Sequence, residues 1–175
     1  MAELDKKEQQ RLQELEAYAV LDTPPEASFD RLTKLVARIC QVPIALVSLV
    51  DADRQWFKSS VGLGVCETDR DISFCTNAIQ STELFVVPDA HADSRFANNP
   101  LVTGEPHVRF YAGIPLISPN GYALGTLCAI DHVPRTLTKL QIEALKTLAE
   151  QVMVQLEVRH QLGEAETDIQ PDYEV

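Results

Sequence analysis

The stretch that most constrains this chain is residues 109–131, RFYAGIPLISPNGYALGTLCAID. Two apolar runs flank Ser118, Pro119, Asn120 and Gly121. Proline presets one backbone angle and Asn-Gly tolerates positive φ, so the chain reverses there at little cost and the runs fold back as a β-hairpin. Ile114, Leu116 and Ile117 on one arm, and Leu124, Leu127, Cys128 and Ile130 on the other, make both faces apolar. Such a hairpin needs cover on both sides and belongs inside a sheet, not at its edge. Gly113 and Gly125 interrupt the arms. Close backbone approach or a small cavity floor would explain them, and so would a bulge or bend.

Cover must come from the segments before and after. Residues 4–19 are rich in Glu, Gln, Lys and Leu and predict a helix with a thin apolar stripe of Leu12, Leu15 and Ala19, which needs a partner. Thr23, Pro24, Pro25 and Glu26 read as a capping box opening a second helix, on which Phe29, Leu32, Leu35, Val36 and Ile39 form a broad buried face. Pro43 ends it. Residues 44–50, IALVSLV, predict a strand, and residues 55–60 return as its hairpin partner across the turn formers 51–54. Trp56, the sole tryptophan, fits either the core or a lid over a pocket.

Residues 61–72 contain Gly62, Gly64 and several charges without periodicity and predict a loop; a short helix over 73–80 and a strand over 84–87 follow. The polar connection 89–103 is long for so small a domain, and loops of that length are often functional. Thr138 and Gln141 form another capping box, with Leu137 and Ile142 placed as a staple. Leu140, Leu145, Leu148, Val152 and Leu156 then line one face of a long helix, and Val154 and Val158 widen its apolar surface. Beyond Gly163 the acidic sequence predicts disorder. The expected organisation is an N-terminal helix (1–20), one domain (21–160) and an acidic tail (161–175).

Charge and cysteine content narrow the function. A net charge of -11, with 15 scattered basic residues, speaks against nucleic-acid or anionic-membrane partners, whose phosphates need clustered Lys and Arg. No apolar run reaches the roughly 18 residues that cross a bilayer, and MAELDKKEQQ does not resemble a signal peptide. Cys40, Cys66, Cys75 and Cys128 show no CxxC spacing, as for buried thiols in a reducing cytoplasm. His91, His107, His132 and His160 are dispersed, which argues against a metal site, and no GxSxG, HExxH or GxxxxGK motif is present.

Four stretches carry a resemblance: LDTPPEASFDRLTKLVARICQVPIALVSLVDADRQWFKS, DRDISFCTNAI, VVPDAHADSRFANNPLVTG and RFYAGIPLISPNGYALGTLCAIDHVPR. In this order they resemble the GAF domain family, in particular the N-terminal GAF modules of bacterial sensor histidine kinases and diguanylate cyclases. The resemblance implies an α+β fold: a five- or six-stranded antiparallel sheet, helices packed on one face, and a loop-roofed small-molecule pocket on the other. Between the hairpin and connections 69–80 and 89–108, its expected lining is Phe74, Cys75, Asp89, Asp93, Arg95, Phe96, Arg109, Tyr111 and Thr126. Arg and Asp beside aromatic rings would orient a flat polar ligand; alternatively Arg95 and Arg109 pair with Asp89, Asp93 or Asp71 and only hold the loops.

The same resemblance limits the ligand. The Asn-Lys…Phe…Asp-Glu signature of cyclic-nucleotide-binding GAF modules has no equivalent here, and the cysteine that attaches a bilin is commonly followed by histidine, whereas Thr76 follows Cys75. No cofactor is named by the sequence. Some small GAF proteins reduce free methionine sulfoxide with cysteines, and Cys66 and Cys75 would be the pair to consider. The family's Ala-Cys-Asp-Ser-like stretch is replaced here by His107, Val108, Arg109 and Phe110. The expectation is therefore a non-catalytic, cytoplasmic small-molecule sensor in two-component or cyclic-di-GMP signalling, homodimeric through its terminal helices and acting on a signalling protein in trans. A thiol-dependent reductase is the alternative.

Overall fold

Among the described residues, six antiparallel strands, β1 (Ile44–Val50), β2 (Arg54–Val61), β3 (Glu67–Asp69), β4 (Phe85–Val87), β5 (Phe110–Ile117) and β6 (Ala123–Asp131), form one sheet in the order β3-β2-β1-β6-β5-β4. In the computed structural model, residues 2–168 are described, with side chains from 5 to 165. The reversal at residues 118–121 occurs as predicted: the Gly121 amide donates to the Ser118 carbonyl at 2.8 Å, and Gly121 takes a φ of 88°. Its arms, β5 (Phe110–Ile117) and β6 (Ala123–Asp131), pair from Phe110↔Asp131 to Ile117↔Ala123. On its other side β6 pairs with β1 (Ile44–Val50), from Ile44↔Ile130 to Leu49↔Gly125. Every residue of β1 is buried, because apolar layers cover both faces of these central strands.

One layer is helical. Helices α1 (Ala2–Ala17) and α2 (Ala27–Cys40), together with the long C-terminal helix (Lys139–Asp168), cover one face, with Leu15, Tyr18, Phe29, Val36, Leu145, Val152 and Leu156 packed on Ala45, Val47, Leu49, Leu127 and Ala129. Trp56 is 7% exposed and joins this layer, which settles its place as core. The opposite face carries Ile44, Leu46, Phe57, Tyr111, Cys128 and Ile130, covered by short α3 (Phe74–Ala78), α4 (Pro100–Thr103) and their connections. The C-terminal helix is α5. Its Thr138/Gln141 capping box forms reciprocally, at 2.9 and 3.2 Å.

Three expectations need correction. Thr23 does not cap α2; its hydroxyl donates to the Val20 carbonyl at 2.5 Å, and the helix starts four residues later after Glu26, whose carboxylate is taken by Lys58 at 2.5 Å and Arg159 at 3.0 Å. The segment 61–72 is not all loop. Glu67–Asp69 forms β3 against β2 (Arg54–Val61), a strand of three residues and so too short to show a period in sequence, made by the open edge of its neighbour. Finally, α5 continues through Gly163 to Asp168, into the segment expected to be a disordered tail; residues 169–175 lie outside the described residues. β4 (Phe85–Val87) matches the strand expected at 84–87.

Candidate functional site

On the face opposite the long helices lies a recess of about 490 Å³. β1 supplies Ile44 and Leu46, β2 supplies Gln55 and Phe57, and β5 and β6 supply Tyr111 and Ile130. The 62–65 loop, β3, α3, Leu101 and residues 105–108 close the sides. Most of these side chains are apolar. Among the described lining residues the ionisable groups other than Cys75 and Tyr111 are Glu67, Glu105 and His132, and there is no Lys or Arg.

The polar groups of the wall are held in fixed directions. Gln55, 5% exposed, accepts from Ser48 at 3.1 Å and Ser73 at 2.8 Å through its amide oxygen, and donates to Thr68 at 2.5 Å. Deeper in, the Tyr111 and Thr126 hydroxyls donate to the Cys75 sulfur at 3.2 and 3.1 Å. Burial opposes charge on Cys75. Hydrogen bonds from Cys128, Thr126, Tyr111 and Ser48 outweigh it and hold this thiol below its ordinary range. Its bond to Cys75, reinforced by burial, holds Cys128 well above the ordinary thiol range. Burial likewise pushes the Tyr111 phenol up, so it stays a neutral donor.

Of the nine residues expected to line a pocket, Phe74, Cys75 and Tyr111 do so. Thr126 sits beneath Cys75, and Phe96 lies behind the wall, its ring stacked on Phe74 at 4.2 Å. Asp89, Asp93, Arg95 and Arg109 are outside the lining and are consumed by one another. Arg109 donates twice to Asp89, at 2.9 and 3.1 Å, and Arg95 twice to Asp93, at 2.9 and 2.6 Å. Both carboxylates also close local turns, accepting from the His91 and Arg95 amides, and the neighbouring guanidinium holds each below the usual carboxylate range. Arg95 lies over the Phe85 and Phe96 rings at 5.2 and 5.3 Å. These four residues brace the 89–109 connection.

The sequence profile of the GAF domain matches residues 24–156. The chain belongs to the GAF domain family. It is 41% identical over 138 residues to a cyclic di-GMP phosphodiesterase of Pseudomonas aeruginosa, a match covering 78% of this chain and 24% of that relative, so the chain spans about a quarter of its length. Among solved structures, the GAF domain of an Acinetobacter phosphoenolpyruvate-protein phosphotransferase superposes with a TM-score of 0.64 at 21% identity, covering 91% of this chain and 95% of that one. The free methionine-R-sulfoxide reductase of Neisseria meningitidis, solved with its substrate, gives 0.63 at 17% identity, covering 83% and 87%. The PixJ GAF domain of Thermosynechococcus elongatus gives 0.61 at 17%, covering 85% and 94%. At these identities the structural likenesses establish the shared fold. Among the described residues of this GAF domain no helix is long and apolar enough to cross a membrane.

Sequence reasoning missed the recess's outer wall, chiefly Gln55, Phe57, residues 62–65, Glu67 and Thr68. One signal was available: Gln55 and Phe57 flank Trp56 and alternate with it, so once Trp56 faces the helices they must face the other way. The loop 62–65 carried no such signal.

Proposed function

We propose that this GAF domain is a non-catalytic regulatory module that takes a small, largely apolar ligand in the recess and reports its occupancy through α5. The carrying observation is the recess itself: about 490 Å³, apolar walls, and a Gln55 amide locked by three hydrogen bonds to present one orientation. A phosphate-bearing ligand would meet Glu67 and Glu105 with no Lys or Arg in the described lining, so the ligand is uncharged or cationic. Cyclic di-GMP, named for the Pseudomonas relative, then belongs to the output of the pathway and not to this recess.

Occupancy has a mechanical route to α5. Lys58 follows the wall residues Gln55 and Phe57 on β2, its side chain is fully buried, and its ammonium binds Glu26, which also binds Arg159 of α5. A ligand favouring one setting of β2 biases this clasp by its differential affinity for the two settings and by no more. On α5, Val154, Val158 and Leu162 are 46%, 45% and 62% exposed at four-residue spacing. A second copy covering this stripe would make a cytoplasmic homodimer whose helices pass the change to a signalling partner.

Cys66 is exposed and lies outside the recess lining, so it gives no support to a Cys66–Cys75 reductase pair. The test is native mass spectrometry of the purified protein, followed by thermal unfolding with uncharged aromatic and aliphatic compounds and, in parallel, cyclic nucleotides. A ligand at a hundred times its Kd stabilises by about 2.7 kcal/mol. Uncharged compounds should raise the midpoint, and Val65→Trp, which fills the mouth of the recess, should abolish the rise. No retained molecule and no stabilising compound, or stabilisation by cyclic nucleotides alone, would overturn the reading.

A further inference from the structure

The recess floor holds chemistry that ligand sensing does not use. Cys75 belongs to the recess lining, and the fully buried Cys128 stands two positions along β6 from Thr126, on the same face of the sheet, in the same buried cluster as Cys75. Two hydroxyls aim protons at the same sulfur, Tyr111 at 3.2 Å and Thr126 at 3.1 Å. Cys40 provides the internal contrast. It is also buried, but it packs among apolar side chains of the helical layer, and burial drives its thiol up. Cys75 thus has what a reactive thiol needs: donors that stabilise the thiolate, a second thiol in the same buried cluster, and a cavity at its surface.

We infer that Cys75 and Cys128 form a reversible dithiol site in the recess floor that is oxidised by organic hydroperoxides. The Cys75 thiolate attacks the terminal oxygen of the hydroperoxide; the S–O bond forms, the O–O bond breaks, and the alkoxide leaves and takes a proton from water. Cys75 is now a sulfenic acid, oxidised by two electrons, and the peroxide is reduced to an alcohol. The Cys128 sulfur then attacks Cys75, its thiol proton leaves with the hydroxide as water, and the disulfide closes. An external thiol reductant reverses it. The apolar wall of Ile44, Leu46, Phe57 and Phe74 favours an oxidant with a hydrocarbon group over hydrogen peroxide. A disulfide here would pin α3 to β6 across the recess floor, which couples oxidation to the shape of the site.

The site stands apart from the ligand reading, since it needs only the cavity and the two thiols. Its test uses the chain carrying Cys66→Ser, which removes the exposed thiol. Treatment with tert-butyl hydroperoxide should yield one species lighter by two hydrogens, with Cys75 linked to Cys128 in the peptide map and the mass restored by dithiothreitol. Cys128→Ser should stop at a Cys75 sulfenic acid trapped by dimedone, and Cys75→Ser should leave Cys128 unoxidised. Hydrogen peroxide at equal concentration should act severalfold more slowly. The alkylation rate of Cys75 should level off at a lower pH than that of an ordinary thiol, whereas that of Cys40 keeps rising. If a serine variant fails to fold by circular dichroism, the peptide map and alkylation profile of the Cys66→Ser chain decide alone. Oxidation of Cys40 as readily as Cys75, a Cys75 that oxidises without linking to Cys128, or no preference for the organic peroxide would overturn the inference.

Discussion

At Gly113 a missing side chain positions a present one. A Cβ built there would lie 2.3 Å from the Tyr111 hydroxyl and 2.8 Å from its ring carbon, because the Tyr111 side chain folds over the glycine to reach Cys75 and Thr126. Gly113→Ala should therefore displace Tyr111 and cost about 1–3 kcal/mol, the usual range for forcing extra volume into a packed core. Urea denaturation measures that cost. Displacing Tyr111 also removes a donor from Cys75, so the pH at which Cys75 alkylation levels off should move up; a stability loss without that movement would mean the tyrosine had kept its contact. Gly125 stands for another reason, its would-be Cβ falling 1.9 Å from the Ser48 carbonyl across the β1–β6 pairing. Both glycines stand out in sequence as gaps in apolar strands. Which neighbour fills each gap was not legible, because a tyrosine two residues away and a serine carbonyl 77 positions upstream, at Ser48, leave the same one-letter trace. The aspartates and arginines of the long loop lie outside the recess lining for a related reason. Polar residues in a loop look available to a ligand, yet Asp89 and Asp93 accept from amides two residues ahead, and both oxygens of each also accept from Arg109 and Arg95 respectively.

Among the elements, α1 shows how a thin apolar stripe can still be anchored. Leu15 and Tyr18 are buried against the helical layer, but the first turns rely on charge. Arg11, 6% exposed, donates to the Val50 carbonyl at 2.7 Å, and Glu8 binds both Arg11 at 2.8 Å and Arg70 at 2.6 Å, joining α1 to the turn that precedes α3. Partial burial alone would raise the Glu8 carboxyl; hydrogen bonds from Arg11 and Arg70 outweigh it and lower it from 4.5 to about 2. A depressed carboxyl contributes stability that is complete above its unfolded value and is lost as pH falls through the folded one. The gap in urea midpoint between the natural chain and Glu8→Gln should thus be constant above about pH 4.5 and shrink as the pH drops toward 2. A gap independent of acid would remove Glu8 from the docking of α1. The helices themselves were legible from spacing and capping pairs, most clearly at Thr138 and Gln141. The start of α2 was misread because Thr23 and Glu26 satisfy the cap pattern while Lys58 and Arg159, distant in sequence, take the glutamate for a different purpose.

The whole molecule is a sheet with one face committed to long helices and the other left partly open, and that division was readable once the unbroken apolar runs in β1 and the hairpin demanded cover on both sides. What sequence left open was where the cover stops, since the recess exists through the exact reach of loop 62–65 and residues 105–108. The same division bears on assembly. Helix α1 spends its apolar residues within its own domain, whereas α5 turns Leu145, Val152 and Leu156 inward and leaves Val154, Val158 and Leu162 outward. A helix apolar on two sides has one side to spare. The double variant Val154→Glu and Val158→Glu should dissociate the proposed dimer, because two carboxylates per helix would face their copies across the two-fold axis. Sedimentation at tens of micromolar should give a dimer for the natural chain and a monomer for the variant. Both valines are about half exposed in the single chain, so the intramolecular packing of Val152 and Leu156 should survive and the circular dichroism spectrum should be unchanged. A natural chain that sediments as a monomer, or a variant that stays dimeric, would move the output surface away from α5 and leave the Glu26–Arg159 clasp without a route to a partner.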